Sequence, residues 1–472
     1  MRFCIIVLIL CALVPPHAAA QGWTGPFLLG DSIGGIKPSA CKEWVFGDTT
    51  CMVWQSFASG VRWEVFGQLC SFTDGNGWGP ATLISGNLAA VNPAVACVND
   101  ASSGRPVFCC VWEHPAGTAD IYAQFDTAGQ AWSSRVLVGS GKTAGVDSTW
   151  PQVMAIRHGS PYDTAWVTWT CQDTDGWHID YSFNGGDSWT TQRAAVVQVD
   201  TIRHARLGRG YHGLYYGCPL LVWETHGDIF YSEYVSGSWL TPQEVAHSAA
   251  LDRNPDVISY GPTPVALGPW ITWESTRDGD TAVYGTAMDT FSVGRRWCDS
   301  SGAGSNFTPC GTPAEYTTES WNQAAVAWVS NRNGGSDIYS RTMFSSQDVP
   351  VCIDSARKTN PTMTTVGVTE HWCIWQSSDQ QIWGSYLCAS GVEESLKPQA
   401  SSRKPATTVV RGALFLPEAA SCKPQAASLL DVSGRKVMGL MAGANDVSRL
   451  SPGVYFVREA QAQAVRKVVL TR

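Results

Sequence analysis

Along most of the chain, short apolar runs rich in β-branched and aromatic residues end in a tryptophan, a polar residue follows, and the chain then turns. The pattern is plainest in WITWES, from Trp270 to Ser275. It recurs as CMVWQS (Trp54), CCVWEH (Trp112), WVTWTC (Trp169), LLVWET (Trp223), AVAWVS (Trp328) and WCIWQS (Trp375). Such runs bounded by turn residues predict strands. After each comes a second run of the same type: VFGQL from Val65, IYAQF from Ile121, IDYSF from Ile179, IFYSE from Ile229, VYGTA from Val283, IYSRT from Ile338 and IWGSY from Ile382. The segments between them, such as DTDG (Asp173 to Gly176), RDGD (Arg277 to Asp280) and NRNGGSD (Asn331 to Asp337), are rich in residues that tolerate positive φ. They predict hairpin turns, so every repeat centres on a hairpin.

A first strand precedes each tryptophan run and often opens with proline, as at Pro38, Pro93, Pro151, Pro255 and Pro361. A fourth opens with tryptophan in four repeats, at Trp78, Trp132, Trp189 and Trp239. Successive core tryptophans lie 58, 57, 54, 50, 55 and 47 residues apart, too long for ankyrin-type or leucine-rich units and suited to a four-stranded propeller blade. The predicted fold is therefore all-β, a seven-bladed β-propeller over residues 21–390. The seventh repeat lacks a fourth strand, because IWGSYLCAS runs into the polar GVEESLKPQASSRK. GWTGPFLLGDS, from Gly22 to Ser32, reads like GWGPATLISGN, from Gly77 to Asn87, and predicts that the N-terminal strand completes the last blade.

The flanks follow different rules. Residues 1–20, MRFCIIVLILCALVPPHAAA, join a basic second residue, an apolar core and a small-residue end, which predicts a secretory signal cleaved before Gln21. No other stretch is long and apolar enough to predict a membrane span, so the mature chain is expected to lack one. Two of the 16 cysteines fall in that signal. Most of the others sit in apolar strands, as Cys51, Cys110 and Cys373 do, and read as small buried hydrophobes. An exported chain meets oxidising conditions, and Cys298 with Cys310, bracketing SSGAGSNFTP, is the leading candidate disulfide; Cys41 with Cys51 is the second. The nine histidines are scattered and no CxxC occurs, so neither a metal nor a cofactor is expected.

Charge divides the chain. From Arg403 onward there are 11 basic and 4 acidic residues, whereas residues 21–402 hold 20 basic and 36 acidic. A net charge of −16 repels phosphate and argues against a nucleic-acid partner. The shift also marks a linker over residues 391–404 and a separate unit over 405–472, whose short strands, broken at Ser433-Gly434, Gly443 and Pro452-Gly453, predict a small antiparallel β-sandwich.

The end of that unit resembles the C-terminal sorting domain of type IX secretion substrates. The residues that carry the resemblance are Asp431, Gly434, Arg435 and Val437, then Gly443 and Asn445, then Leu450, Gly453 and Tyr455, and finally Lys467 to Leu470. The start, RGALFLPEAASCKPQAAS, departs from the family with Cys422 where an Asn-Pro type turn is usual. The resemblance implies passage of the inner membrane by the N-terminal signal and of the outer membrane by the type IX secretion machinery. The chain would then be secreted or held on the outer-membrane surface of a Gram-negative-type bacterium.

Two hairpins resemble the Asp-box of sialidase-type propellers: SFTDGNGW (Ser71 to Trp78) and SFNGGDSW (Ser182 to Trp189), with Thr73 and Asn184 at the Asp position. In that family the box is a turn between third and fourth strands, so the resemblance speaks for fold and not for catalysis. A sialidase would need three arginines on the substrate carboxylate, a Tyr/Glu nucleophile pair and an acidic donor. Arg203, Arg206 and Arg253 lie near first strands, but no F-R-I-P-like start precedes the first repeat. The residue after the core tryptophan is Glu113, Glu224 or Glu274 in three repeats and Gln55 or Gln376 in two. These groups could ring a channel mouth and bind or cleave glycans; recurrence at one repeat position equally suits a hydrogen bond between blades. The loop tryptophans Trp63 and Trp177 are candidates for stacking on sugars. The reading as a whole is a non-catalytic binding module for glycan or surface protein, with a sialidase-like hydrolase as the alternative.

Overall fold

The computed structural model describes residues 23–42, 49–71, 77–100, 105–115, 119–127, 131–140, 150–156, 164–174, 176–184, 188–198, 200–212, 215–245, 249–258, 269–288, 294–298, 304–312, 325–342, 345, 347–366 and 370–388, and, nearer the C-terminus, 408–410, 413–416, 427–431, 435–440, 443–447, 450–459 and 465–470. The signal and linker segments, Gly434 and Cys422 lie outside them. The chain divides into two compact units between Gly391 and Val392.

In the first unit the described strands form seven antiparallel sheets, each running outward from an inner strand. The inner strands of sheets 1 to 7 are Ile36–Ala40, Val91–Asp100, Gln152–Ile156, Arg203–His212, Asp252–Ile258, Asn306–Gly311 and Lys358–Val366. Second strands carry the core tryptophans: Thr49–Ser56, Arg105–His114, Thr164–Asp173, Tyr215–Thr225, Trp270–Ser275, Ala325–Ser330 and Glu370–Ser377. The third strands are those the sequence places after each turn. The outer strand of sheet 7 is Thr24–Leu29, which pairs antiparallel with Ile382–Cys388. Closure by the N-terminal segment is thus observed.

Each inner strand packs against the next in cyclic order, and that of sheet 7 against that of sheet 1. The core lies between neighbouring sheets, because a strand buried on both faces is apolar on both. Trp54, Trp112, Trp169, Trp223, Trp273, Trp328 and Trp375 are all buried there. Glycine makes room for several of them. A Cβ on Gly139 would stand 2.4 Å from Trp169, one on Gly294 2.3 Å from Trp273, and one on Gly35 2.1 Å from Trp54.

Three expectations change. Trp78 and Trp239 lie, as expected, in short strands at the fourth position of sheets 1 and 4, but the expectation changes in sheets 2 and 3: in sheet 2 the outer strand is Val136–Ser140, after Trp132. In sheet 3, Trp189 makes a lone bridge to Asn184 before Arg193–Gln198 begins. Neither predicted disulfide forms. Cys298 and Cys310 are free buried thiols, as is Cys51. Cys298 accepts from the Val283 N–H at 3.4 Å beside the outer strand of sheet 5, whereas Cys310 lies in the inner strand of sheet 6. The radial path of a sheet separates residues that bracket one loop in sequence.

In the second unit Ala427–Leu430 lies between Lys436–Leu440 and Gly453–Glu459, and Val465–Leu470 follows outside the latter. Thr408–Val410 adds to that last strand in parallel, a departure from a purely antiparallel sandwich. Ala413–Leu416 pairs separately with Gly443–Asp446. Leu429, Leu440 and Val447 form the core, with Leu450 and Tyr455 against it. Asp431 shapes a turn: its carboxylate accepts from the Arg435 N–H at 3.0 Å and from Arg435 Nε at 3.2 Å. Tyr455 donates its hydroxyl to the Ser451 carbonyl at 2.9 Å. Lys467 lies in the last strand, opposite Phe456.

Candidate functional site

One backbone feature recurs at the start of the inner strand in all seven sheets. Lys37, Asn92, Trp150, His204, Asn254, Thr308 and Asn360 have φ of 53°, 52°, 26°, 48°, 50°, 47° and 51°. In six of them the next residue is proline, at positions 38, 93, 151, 255, 309 and 361. The left-handed region costs a non-glycine residue about 1–3 kcal/mol and persists where surroundings enforce it. Here the enforcement is visible. In sheets 1, 2, 4, 5, 6 and 7 the ladder skips at this point, so the residue bulges out of its sheet.

The polar residue after the core tryptophan satisfies the bulge of the following sheet. Gln376 accepts the Lys37 N–H at 3.1 Å, Gln55 that of Asn92 at 2.7 Å, Glu224 that of Asn254 at 3.1 Å, and Glu274 that of Thr308 at 2.6 Å. Within its own sheet the same group takes the side chain at the bulge. Asn92 Nδ2 donates to Glu113 at 2.9 Å, Asn254 Nδ2 to Glu274 at 2.6 Å, and Asn360 Nδ2 to Gln376 at 3.0 Å. His204 Nδ1 lies 2.8 Å from Glu224. Arg253 Nε adds a bond to Glu274 at 2.9 Å. The three glutamates are 8%, 8% and 1% exposed. For Glu224, burial raises the pKa, but the bonds and charge of His204, the Asn254 N–H and the Arg203 charge outweigh it and hold the carboxyl below its ordinary value. That is the opposite of what a proton donor needs.

Because every sheet repeats the same path, the seven bulges gather at one end of the ring of inner strands and rim its opening. Four of them form a continuous side-chain cluster. Lys37 Nζ donates to Asn92 Oδ1 at 2.6 Å and stands 4.8 Å from the centroid of a Trp150 ring, two sheets away. The Trp150 ring meets His204 edge-on at 6.1 Å. Burial lowers the Lys37 ammonium below the ordinary lysine pKa, with Glu113 acting in the opposite sense. Arg203 is exposed beside this cluster.

Of the residues singled out from sequence, Glu113, Glu224 and Glu274 therefore come to the rim, but as acceptors bound into it. Trp63 lies beside it: its carbonyl accepts the Ala90 N–H at 2.9 Å, and its ring meets the half-exposed Phe57 edge-on at 5.4 Å. Trp177 packs against the core between sheets 3 and 4. Lys37, Asn92, Trp150 and His204 were not singled out, though the recurrent proline one residue later marks three of these four positions. Among the described residues no group of three or more His, Cys, Asp or Glu is arranged to hold a metal ion.

No protein-family model matches the chain, and no curated protein does. Solved structures do. The Hadza microbial sialidase Hz136 aligns over 76% of this chain and 66% of its own, at 11% identity and a TM-score of 0.42. A protein of unknown function from Dyadobacter fermentans aligns over 78% of this chain and 98% of its own, at 10% identity and a TM-score of 0.45. The Penicillium chrysogenum α-L-arabinanase complexed with arabinobiose aligns over 64% and 93%, at 12% identity and a TM-score of 0.42.

Proposed function

We propose that the first unit is a seven-bladed β-propeller that binds its ligand, without turning it over, at the rim built by Lys37, Asn92, Trp150 and His204. The ligand is a glycan or the surface of another protein. The observation that carries this reading is the fate of the three glutamates. A glycosidase works with one carboxyl that donates a proton and one that attacks or activates water, both turned to the substrate. Glu274 commits both of its oxygens to the rim, and Glu113 and Glu224 each commit one. The rim carries beside them an aromatic ring, amides and cations, which suit retention.

The second unit is proposed to serve export. That reading rests on the resemblance of Asp431, Gly434, Arg435, Leu450, Gly453, Tyr455 and Lys467 to the type IX sorting pattern, and it makes the secretion machinery a partner and the cell surface or medium the destination.

The test is a glycan-array screen on the purified chain, with the same array checked by mass spectrometry for released sugar. Retention without release, lost in Trp150→Ala and in Lys37→Met, supports the proposal. Release of a sugar would replace it with a hydrolase, and failure to retain any glycan would turn the search to protein partners.

A further inference from the structure

We infer that the lumen enclosed by the inner strands holds a small monovalent inorganic anion, of halide size, between Lys42 and Arg206. Lys42 follows the inner strand of sheet 1, Arg206 lies in that of sheet 4, and Asp256 in that of sheet 5. In the cyclic order of seven, sheets 1 and 5 stand as far apart as two sheets can. The ion pair of Lys42 with Asp256 therefore crosses the lumen. Arg206 Nε stands 3.9 Å from the same Asp256 oxygen, and the other oxygen accepts the Gly311 N–H at 3.0 Å. Asp256 is thus fully engaged, one carboxylate shared by two cations.

Among the described residues the cations are not fully engaged. An ammonium has three N–H donors and a guanidinium five. Lys42 places one on Asp256, and Arg206 places one on the Ala205 carbonyl at 3.3 Å. Their surroundings explain what is left over. Burial lowers the Arg206 pKa, with Asp256 opposing. Yet 25% of its side-chain surface and 24% of that of Lys42 remain accessible. Because the Lys42–Asp256 pair crosses the lumen, that accessible surface faces the lumen. Spare donors and a net charge of plus one among these three groups make a site for one negative charge, because two cations sharing one carboxylate still attract an anion. A single excess charge favours a monovalent ion over a divalent one. This site lies within the ring and is independent of the rim residues proposed to bind ligand.

The experiment has two arms on the full chain. In the first, crystals are grown or soaked in bromide, and anomalous scattering is measured at the bromine edge. A peak within hydrogen-bond reach of Lys42 Nζ and the Arg206 guanidinium is expected, and its absence overturns the inference. In the second, Tm is followed as chloride replaces gluconate at constant sodium and ionic strength. Tm should rise with chloride and level off as the site fills, and the rise should vanish in Lys42→Met. Equal Tm in the two salts, or an unchanged rise in Lys42→Met, overturns it. Should Lys42→Met fail to fold, the bromide arm decides alone.

Discussion

Replacing Glu274 by alanine separates a structural role at the rim from a ligand-facing one. Glu274 is 1% exposed and accepts three bonds, from Thr308 N and Asn254 Nδ2 at 2.6 Å each and from Arg253 Nε at 2.9 Å. Truncation leaves the first two donors without partners in a partly buried place, at about 1–3 kcal/mol each. The Arg253 bond is discounted, because its side chain is 37% exposed and water replaces the carboxylate. The expected loss for Glu274→Ala is therefore roughly 3–4 kcal/mol. Glu274→Gln keeps the accepting oxygen, and sheets 1 and 7 already use Gln55 and Gln376 for this bond. Its cost should stay below about 1.5 kcal/mol. All 22 tryptophans precede Gly391, so tryptophan fluorescence during urea denaturation reports the first unit alone. Equal losses for Ala and Gln, or a loss for Ala under about 0.5 kcal/mol, would refute the reasoning and return Glu274 to the list of ligand-binding carboxylates.

Three further outcomes are expected. Gly139→Ala forces a methyl to 2.4 Å from the Trp169 ring and should cost the upper end of the ~1–3 kcal/mol seen for overpacking, read in the same denaturation assay. Burial drives His371 down to about 4, so the unfolded chain takes up a proton before the folded one does. Stability is then complete above the ordinary histidine range and falls as pH drops towards 4, by about 3 kcal/mol, and His371→Gln should flatten that limb of a stability-against-pH curve. Cys51, Cys298 and Cys310 should react with a thiol reagent only after denaturation, and peptide mapping of the oxidised native chain should find no Cys298–Cys310 bridge.

The all-β class, the strands within the repeats and the tryptophan core were legible in the sequence, because each depends on local composition repeated about every 50 residues. Closure by Thr24–Leu29 was legible for the same reason: a repeat lacking its last strand and an orphan strand at the other end must meet. The three glutamates were found as recurring residues, and a bond between blades was one of the two roles open to them. Sequence could not choose between these roles, since the deciding partner is a backbone N–H about 30 residues further on, such as that of Thr308 for Glu274. The rim itself was hidden. Its seven residues have little in common as side chains, and what they share is a positive φ, which lysine or threonine adopts here with its N–H held by the neighbouring sheet. Cys298 and Cys310 show the converse. Twelve residues apart, they read as partners, but a chain that runs outward along one sheet and re-enters at the centre of the next carries them to different cores. Local pattern determined the elements and their order; which groups meet at the rim and in the lumen was decided only when the sheets closed into a ring and brought together residues from sheets far apart in sequence.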